Sequence, residues 1–170
     1  MKSVQKTSVF LGLGGNLGDP LAAFRRTRQA LGEHPAVSDC QASPLYQTPP
    51  VGGPAGQPDY LNAVLRLETQ LRPRELLALC LGIEQAEGRE RLEHWGARTL
   101  DIDLLLHGQH QIKEEDLEIP HPRMLERRFV LEPLVALSPD LCHPISRLKL
   151  SETLSRLPEI KNILLLTLTW

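Results

Sequence analysis

The sequence predicts an α+β fold, a ferredoxin-like βαββαβ sheet with helices on one face and a C-terminal helical extension. Two observations carry this expectation. Segments of strand patterning and helical periodicity follow one another as strand, helix, strand, strand, helix, strand over roughly the first 107 residues. Proline or glycine punctuates most of the changes, and no linker, repeat or low-complexity stretch divides the chain, so one domain is expected over residues 1–170, with 1–7 and 161–170 as tails.

Each element has a local cause. Val9 to Leu13 is a short apolar run that ends in Gly14, Gly15 and Asn16, a buried strand entering a tight turn. Asp19 and Pro20 open a helix, because an Asp side chain caps free N–H groups and proline is preorganised for the first helical position. Leu21, Phe24, Arg28 and Leu31 trace its stripe to Gly32. Val37 to Gln47 reads as extended. Tyr60 to Glu68 alternates, with Leu61, Ala63, Leu65 and Leu67 on one face and Tyr60, Asn62, Val64 and Arg66 on the other. Between these strands, Thr48 to Asp59 holds four prolines and three glycines, which cannot pair regularly and mark a functional or disordered loop. Pro73 starts a second helix that ends near Gly88, and Leu100 to Leu106 is another strand. A short hairpin at Gly108, a helix from Arg123 to Leu137 and a small helix over Leu150 to Leu157 complete the reading. Ile163 to Trp170 is an apolar run, too short to span a bilayer, that fits a terminal strand or a frayed tail.

Composition removes several function classes. Hydrophobic residues at 41% and charged residues at 24% exclude a disordered or collagenous chain. Nineteen Lys and Arg against 21 Asp and Glu leave a net charge of −2, so no chain-wide basic field exists to hold duplex nucleic acid. Cys40, Cys80 and Cys142 are odd in number and far apart, which fits buried thiols in a reducing compartment rather than a disulfide framework or zinc site. Without an apolar leader segment, a cytoplasmic protein with no membrane partner is expected.

The sharpest chemical feature is Thr99-Leu100-Asp101-Ile102-Asp103-Leu104. Strand side chains alternate, so two carboxylates at i and i+2 point to one face about 6.6 Å apart. They repel unless a cation lies between them, and magnesium favours one or two carboxylates plus substrate phosphates. Two Asp on a strand also fit a plain solvated face. Just upstream, Arg89, Arg91 and Arg98 suit forked contacts with phosphate oxygens, or a charge run balanced by Glu87, Glu90 and Glu93. Trp95 among them is either a core anchor or a residue that moves over a ligand. His121, Arg123, Arg127 and Arg128 form a second basic group. Tyr60 and Asn62 share one strand face and, with Phe129, offer flat and hydrogen-bonding surfaces to a heteroaromatic ligand, although both rings also fit packing roles. The GLGGNLGD turn fits neither the dinucleotide fingerprint nor a Walker-type loop.

Five segments together resemble the family of 6-hydroxymethyl-7,8-dihydropterin pyrophosphokinase, which belongs to folate biosynthesis: GGNLGD, SPLYQTPPVGG, QPDYLNAV, WGARTLDIDLLL and IPHPRMLERRFVLEPL. The resemblance implies transfer of the terminal pyrophosphate of ATP to the pterin hydroxymethyl group, giving AMP. It also implies that Asp101 and Asp103 hold two Mg2+ ions and act with Arg89 and Arg91 in catalysis. Glu84, Trp95, Arg98, His121 and Arg127 would meet ATP. Gly14, Thr48, Pro49, Val51, Tyr60, Asn62 and Phe129 would form the pterin pocket, with Tyr60 and Phe129 stacking on the ring. The partners implied are these two small molecules alone, with a monomeric chain. Two departures stand out, His94 where arginine is usual and Leu125 where a basic residue is frequent. The competing class is a non-catalytic ferredoxin-like nucleotide- or RNA-binding module; the Gly-Phe-rich strand motif of such RNA binders is missing.

Overall fold

The computed structural model describes residues 5–89 and 96–170, so Arg91, His94 and Trp95 lie outside the described residues. Its frame is a mixed α/β arrangement of four helices and an antiparallel sheet. Strand β1 (Thr7–Gly15) runs against β4 (Tyr60–Thr69) along its whole length, from Thr7 opposite Thr69 to Gly15 opposite Leu61. On its other side β1 receives β5 (Asp101–His107). The expected strand from Val37 to Gln47 is two strands, β2 (Val37–Ala42) and β3 (Leu45–Thr48), both paired with β4. The break falls at Pro44, which has no N–H for a ladder; Ser43 bridges it, its hydroxyl accepting from the Val64 N–H at 2.8 Å.

Helices α1 (Pro20–Gly32) and α2 (Pro73–Ala86) cover one face, where Phe24, Leu31, Leu76 and Cys80 pack on Val9, Leu11, Ala63 and Leu65. Asp19 caps α1, its carboxylate accepting from the Ala22 N–H at 3.0 Å. The alternation read in Tyr60 to Glu68 is kept, since Val64 turns to the opposite core. There a 3-10 turn (Met124–Glu126), α3 (Arg128–Leu137) and α4 (Leu150–Arg156) pack on Phe10, Val64 and Leu106. The helix expected over Arg123 to Leu137 is interrupted by the extended backbone of Arg127 (φ −108°, ψ 100°). The expected hairpin follows Gly108 as β6 (Ile112–Lys113) and β7 (Glu118–Ile119).

Two expectations are corrected. Residues 161–170 follow the terminal-strand reading and not the tail: β8 (Leu164–Leu166) extends the sheet beside β3, and Trp170 is 9% exposed with its ring centroid 5.6 Å from that of Phe24. Its indole N–H donates to the Ser43 carbonyl at 2.8 Å, so the apolar body is buried and the polar edge paired. Thr7 likewise belongs to β1, not to a tail. Of the three thiols, all unpaired, only Cys80 is fully buried and Cys142 is exposed. Trp170→Ala should cost about 3 kcal/mol, lowering the urea midpoint at unchanged m-value; an unshifted midpoint would show that the terminal segment adds no stability.

Candidate functional site

The pairing of β5 on β1 builds the floor of the site. Asp101 lies opposite Gly14, which lies opposite Asn62, and Asp103 lies opposite Gly12, opposite Val64. Ile102 and Leu104 point into the α1/α2 core, so both carboxylates emerge on the other face, beyond the part that α3 covers. Gly12 and Gly14 put no side chain beneath them. Gly15 is needed for a close approach, because a Cβ there would lie 2.6 Å from the Thr99 carbonyl oxygen.

Charges are paired around this floor. Arg89 Nη1 lies 2.8 Å from Asp101 Oδ1 and Arg98 Nη1 2.8 Å from Asp101 Oδ2, so each carboxylate oxygen meets one guanidinium. Arg89 Nη1 is also 2.5 Å from Glu84 Oε1, which accepts the Ile102 N–H at 2.7 Å. Burial pushes the Glu84 carboxyl up, against the pull of that N–H and of Arg89. Among the described residues no guanidinium lies this close to Asp103: its carboxyl is pushed up to about 7, first by burial and then by the Asp101 charge. His121 is anchored by its N–H on the Leu105 carbonyl at 3.0 Å, and its Nδ1 accepts from the Arg123 N–H at 3.1 Å. Burial, then Arg127, pushes its imidazole down to about 4, so near neutrality it is uncharged with its proton on Nε2, 3.9 Å from Asp103 Oδ2.

The other end of the cleft is aromatic and hydrogen-bonding. Asn62 Nδ2 donates to Thr48 Oγ1 at 2.8 Å, and the Tyr60 hydroxyl donates to the Gly96 carbonyl at 3.1 Å. The Arg98 guanidinium carbon is 6.0 Å from the Tyr60 ring centroid, and that of Arg127 is 5.8 Å from Phe129. Three loops meet at buried Asn16. Its Nδ2 donates to Gln57 Oε1 (3.2 Å) and the Pro58 carbonyl (3.1 Å), and its Oδ1 accepts the Arg98 N–H at 2.9 Å.

One cleft of about 1240 Å³ collects Arg89, Arg98, Asp101, Asp103, His121 and Arg127 with Gly14, Thr48, Pro49, Val51, Tyr60, Asn62 and Phe129. Glu84 differs from the expected ATP contact: it is 3% exposed and lies beneath the cleft. Arg91 and Trp95 fall outside the described residues. Sequence reasoning missed Gly12 and the wall made by Leu157, Pro158 and Ile160, and it marked the turn at Asn16 without the hydrogen bonds that side chain makes. That wall is tied to α3 by Arg128, which lines the cleft, donates to the Leu157 carbonyl at 3.0 Å and pairs with Glu132 at 2.9 Å. No signal in the local sequence marks these contacts, since all depend on distant segments meeting.

The donor set fits a divalent cation: two oxygen-bearing side chains on one face of the strand, one of them with its carboxyl raised by burial and by the Asp101 charge. Carboxylates ringed by arginine and a neutral histidine, with aromatic rings alongside, suit a transferase that moves a phosphate-bearing group to a flat acceptor. Residues 10–139 match the 7,8-dihydro-6-hydroxymethylpterin-pyrophosphokinase (HPPK) family, and the chain belongs to it. A 2-amino-4-hydroxy-6-hydroxymethyldihydropteridine pyrophosphokinase of Haemophilus influenzae is 40% identical over 83% of this chain and 88% of its own length. The protein of that name from Bacillus subtilis is 40% identical over 81% of this chain and 80% of its own length. Among solved structures, the wild-type HPPK-DHPS of Plasmodium falciparum shares the fold at TM-score 0.68 and 14% identity, over 92% of this chain and 45% of that longer one.

Asp103 and His121 act oppositely on the stability of the metal-free chain. Between 3.8 and about 7 the folded Asp103 binds more protons than the unfolded one, so its contribution falls as pH rises. His121, shifted from 6.5 to about 4, contributes with the opposite sign. Asp103→Asn isolates the first: in EDTA its Tm should exceed that of the parent by an amount growing from pH 4 to pH 8, at about 2–4 °C per kcal/mol relieved. A Tm difference flat across that range would contradict the strained carboxylate.

Proposed function

We propose that the chain transfers the terminal pyrophosphate of ATP to 6-hydroxymethyl-7,8-dihydropterin, a step of folate biosynthesis. The hydroxymethyl oxygen forms a bond to the β-phosphorus, the bond from that phosphorus to the α,β-bridging oxygen breaks, AMP departs and the hydroxyl proton is released. The observation that carries this reading is the single cleft with carboxylates, arginines and His121 at one end and Tyr60, Asn62 and Phe129 at the other.

Asp101 and Asp103 would hold Mg2+ at this floor, and a pair of ions is what the family resemblance implies. Mg2+ held by these residues would supply neutralisation of the charge that develops on the transferred group. Arg89 and Arg98, with Arg91, grip phosphate oxygens, Arg127 binds beside them, and the neutral His121 donates from Nε2 without adding charge. Trp95, outside the described residues, is an ATP contact by the family resemblance alone. Tyr60 and Phe129 stack on the pterin, Asn62, Thr48 and Gly14 orient its edge, and Pro49 and Val51 close the loop over it. Loop closure around both substrates keeps water from taking the pyrophosphate.

Several coarser readings accompany this one. The strand order β5-β1-β4, with β2 and β3 beyond, supports a split βαβ, ferredoxin-like core extended by α3 and α4. Three unpaired cysteines support a cytoplasmic setting, and no described helix is long and apolar enough to cross a membrane. We read the chain as one domain and a monomer that binds no nucleic acid.

Incubation with ATP, Mg2+ and the dihydropterin, each omitted in turn, should yield AMP only when all three are present. ADP would point to an ordinary kinase, and no turnover to a binding module. Asp101→Ala or Asp103→Ala should cut turnover by about 10³ or more with the fold intact, read by steady-state kinetics and circular dichroism. Full activity in either variant would remove the metal assignment.

A further inference from the structure

Asp101 has only two carboxylate oxygens, and the metal-free protein gives one to Arg89 and one to Arg98, each at 2.8 Å. A cation that takes up this carboxylate therefore competes with the two guanidinium groups for its oxygens. Arg98 keeps the Tyr60 ring and the Gly96 carbonyl beside it. Arg89 keeps Glu84.

We infer that Glu84 is a positioning residue that holds Arg89 at the wall of the cleft while Asp101 changes partner from arginine to metal. The inference rests on the reading of Asp101 as a metal ligand. Glu84 is 3% exposed, and its Oε1 is fixed by the Ile102 N–H at 2.7 Å, so it cannot reach a ligand in the cleft or follow the arginine out of it. The same oxygen meets Arg89 Nη1 at 2.5 Å. A buried carboxylate that lost its only close cation among the described residues would be left uncompensated, so this pair persists while the Asp101 pair exchanges. One edge of the Arg89 fork then stays anchored, and its remaining N–H groups are free for phosphate oxygens. Ile102 lies between Asp101 and Asp103, so the same carboxylate also fixes the strand segment that presents the two ligands. Without the Glu84 charge, Asp101 becomes the nearest anion for Arg89, and arginine competes with the cation.

Glu84→Gln separates these effects, because its amide oxygen still accepts from Ile102 while the charge is gone. Calorimetry with Mg2+ and α,β-methylene-ATP, which resists cleavage between the α- and β-phosphorus, is run on the parent, E84Q, R89A and the double variant. E84Q should bind the analogue about tenfold more weakly and require more Mg2+ for half-saturation, and in the R89A background the same change should cost nothing further. Unchanged affinity in E84Q, or an equal loss with and without Arg89, would overturn the inference. Should E84Q fail to fold, Glu84→Asp reads the same point: the charge is kept but its reach to Arg89 is shortened, so affinity should fall in the parent and not in the R89A background, and unchanged affinity or an equal loss in both would overturn the inference. A parent chain that binds no analogue with Mg2+ would instead sink the metal-site reading itself.

Discussion

The antiparallel pairing of β5 on β1 is the constraint from which the site follows. It sets Asp101 and Asp103 over Gly14 and Gly12, aims both carboxylates into one cleft and leaves nothing beneath them. Like charges so placed oppose folding, and the chain answers with fixed cations on one of them. Asp101 is clamped by Arg89 and Arg98, while Asp103 is left with its carboxyl raised to about 7. Strain of this kind at a ligand site, offset by packing elsewhere, is the expected trade between stability and function.

The two ends of the cleft are not independent. Arg98 touches Asp101 through its guanidinium and faces the Tyr60 ring, and the Arg127 guanidinium faces Phe129, so side chains suited to phosphate border the rings suited to a flat acceptor. Asn16 ties the turn after β1 to the proline-rich loop and to the segment before β5. An event that moves one of these loops acts on hydrogen bonds shared with the others. The interruption of helix at Arg127 has a similar effect, since it frees that arginine from helical geometry and starts α3 with Phe129 at the cleft.

Opposite faces of the sheet divide the work. The α1/α2 face is a continuous apolar core built on Val9, Leu11, Leu65 and Leu67, all fully buried. The other face is covered by α3 and α4 over only part of its area, and the uncovered part carries the polar residues. The terminal segment adds a strand and a buried tryptophan at the edge of β3, the strand that leads into the proline-rich loop.

Local sequence determined the helix starts at Pro20 and Pro73, the alternation along β4 and the shared face of Asp101 and Asp103, because caps, proline geometry and side-chain period act within a few residues. It also set the chemistry of the cleft, since residue type and order in the five segments identify the donors. Tertiary structure alone decided that glycines lie opposite the aspartates, that Asn16 joins three loops and that Glu84 sits under the cleft instead of in it. It likewise decided that the terminal residues form a strand and that Arg128 braces α4. Each of these depends on register or contact between segments dozens of residues apart, and a short-range pattern contains no term for which partner a strand, an arginine or a buried carboxylate will meet.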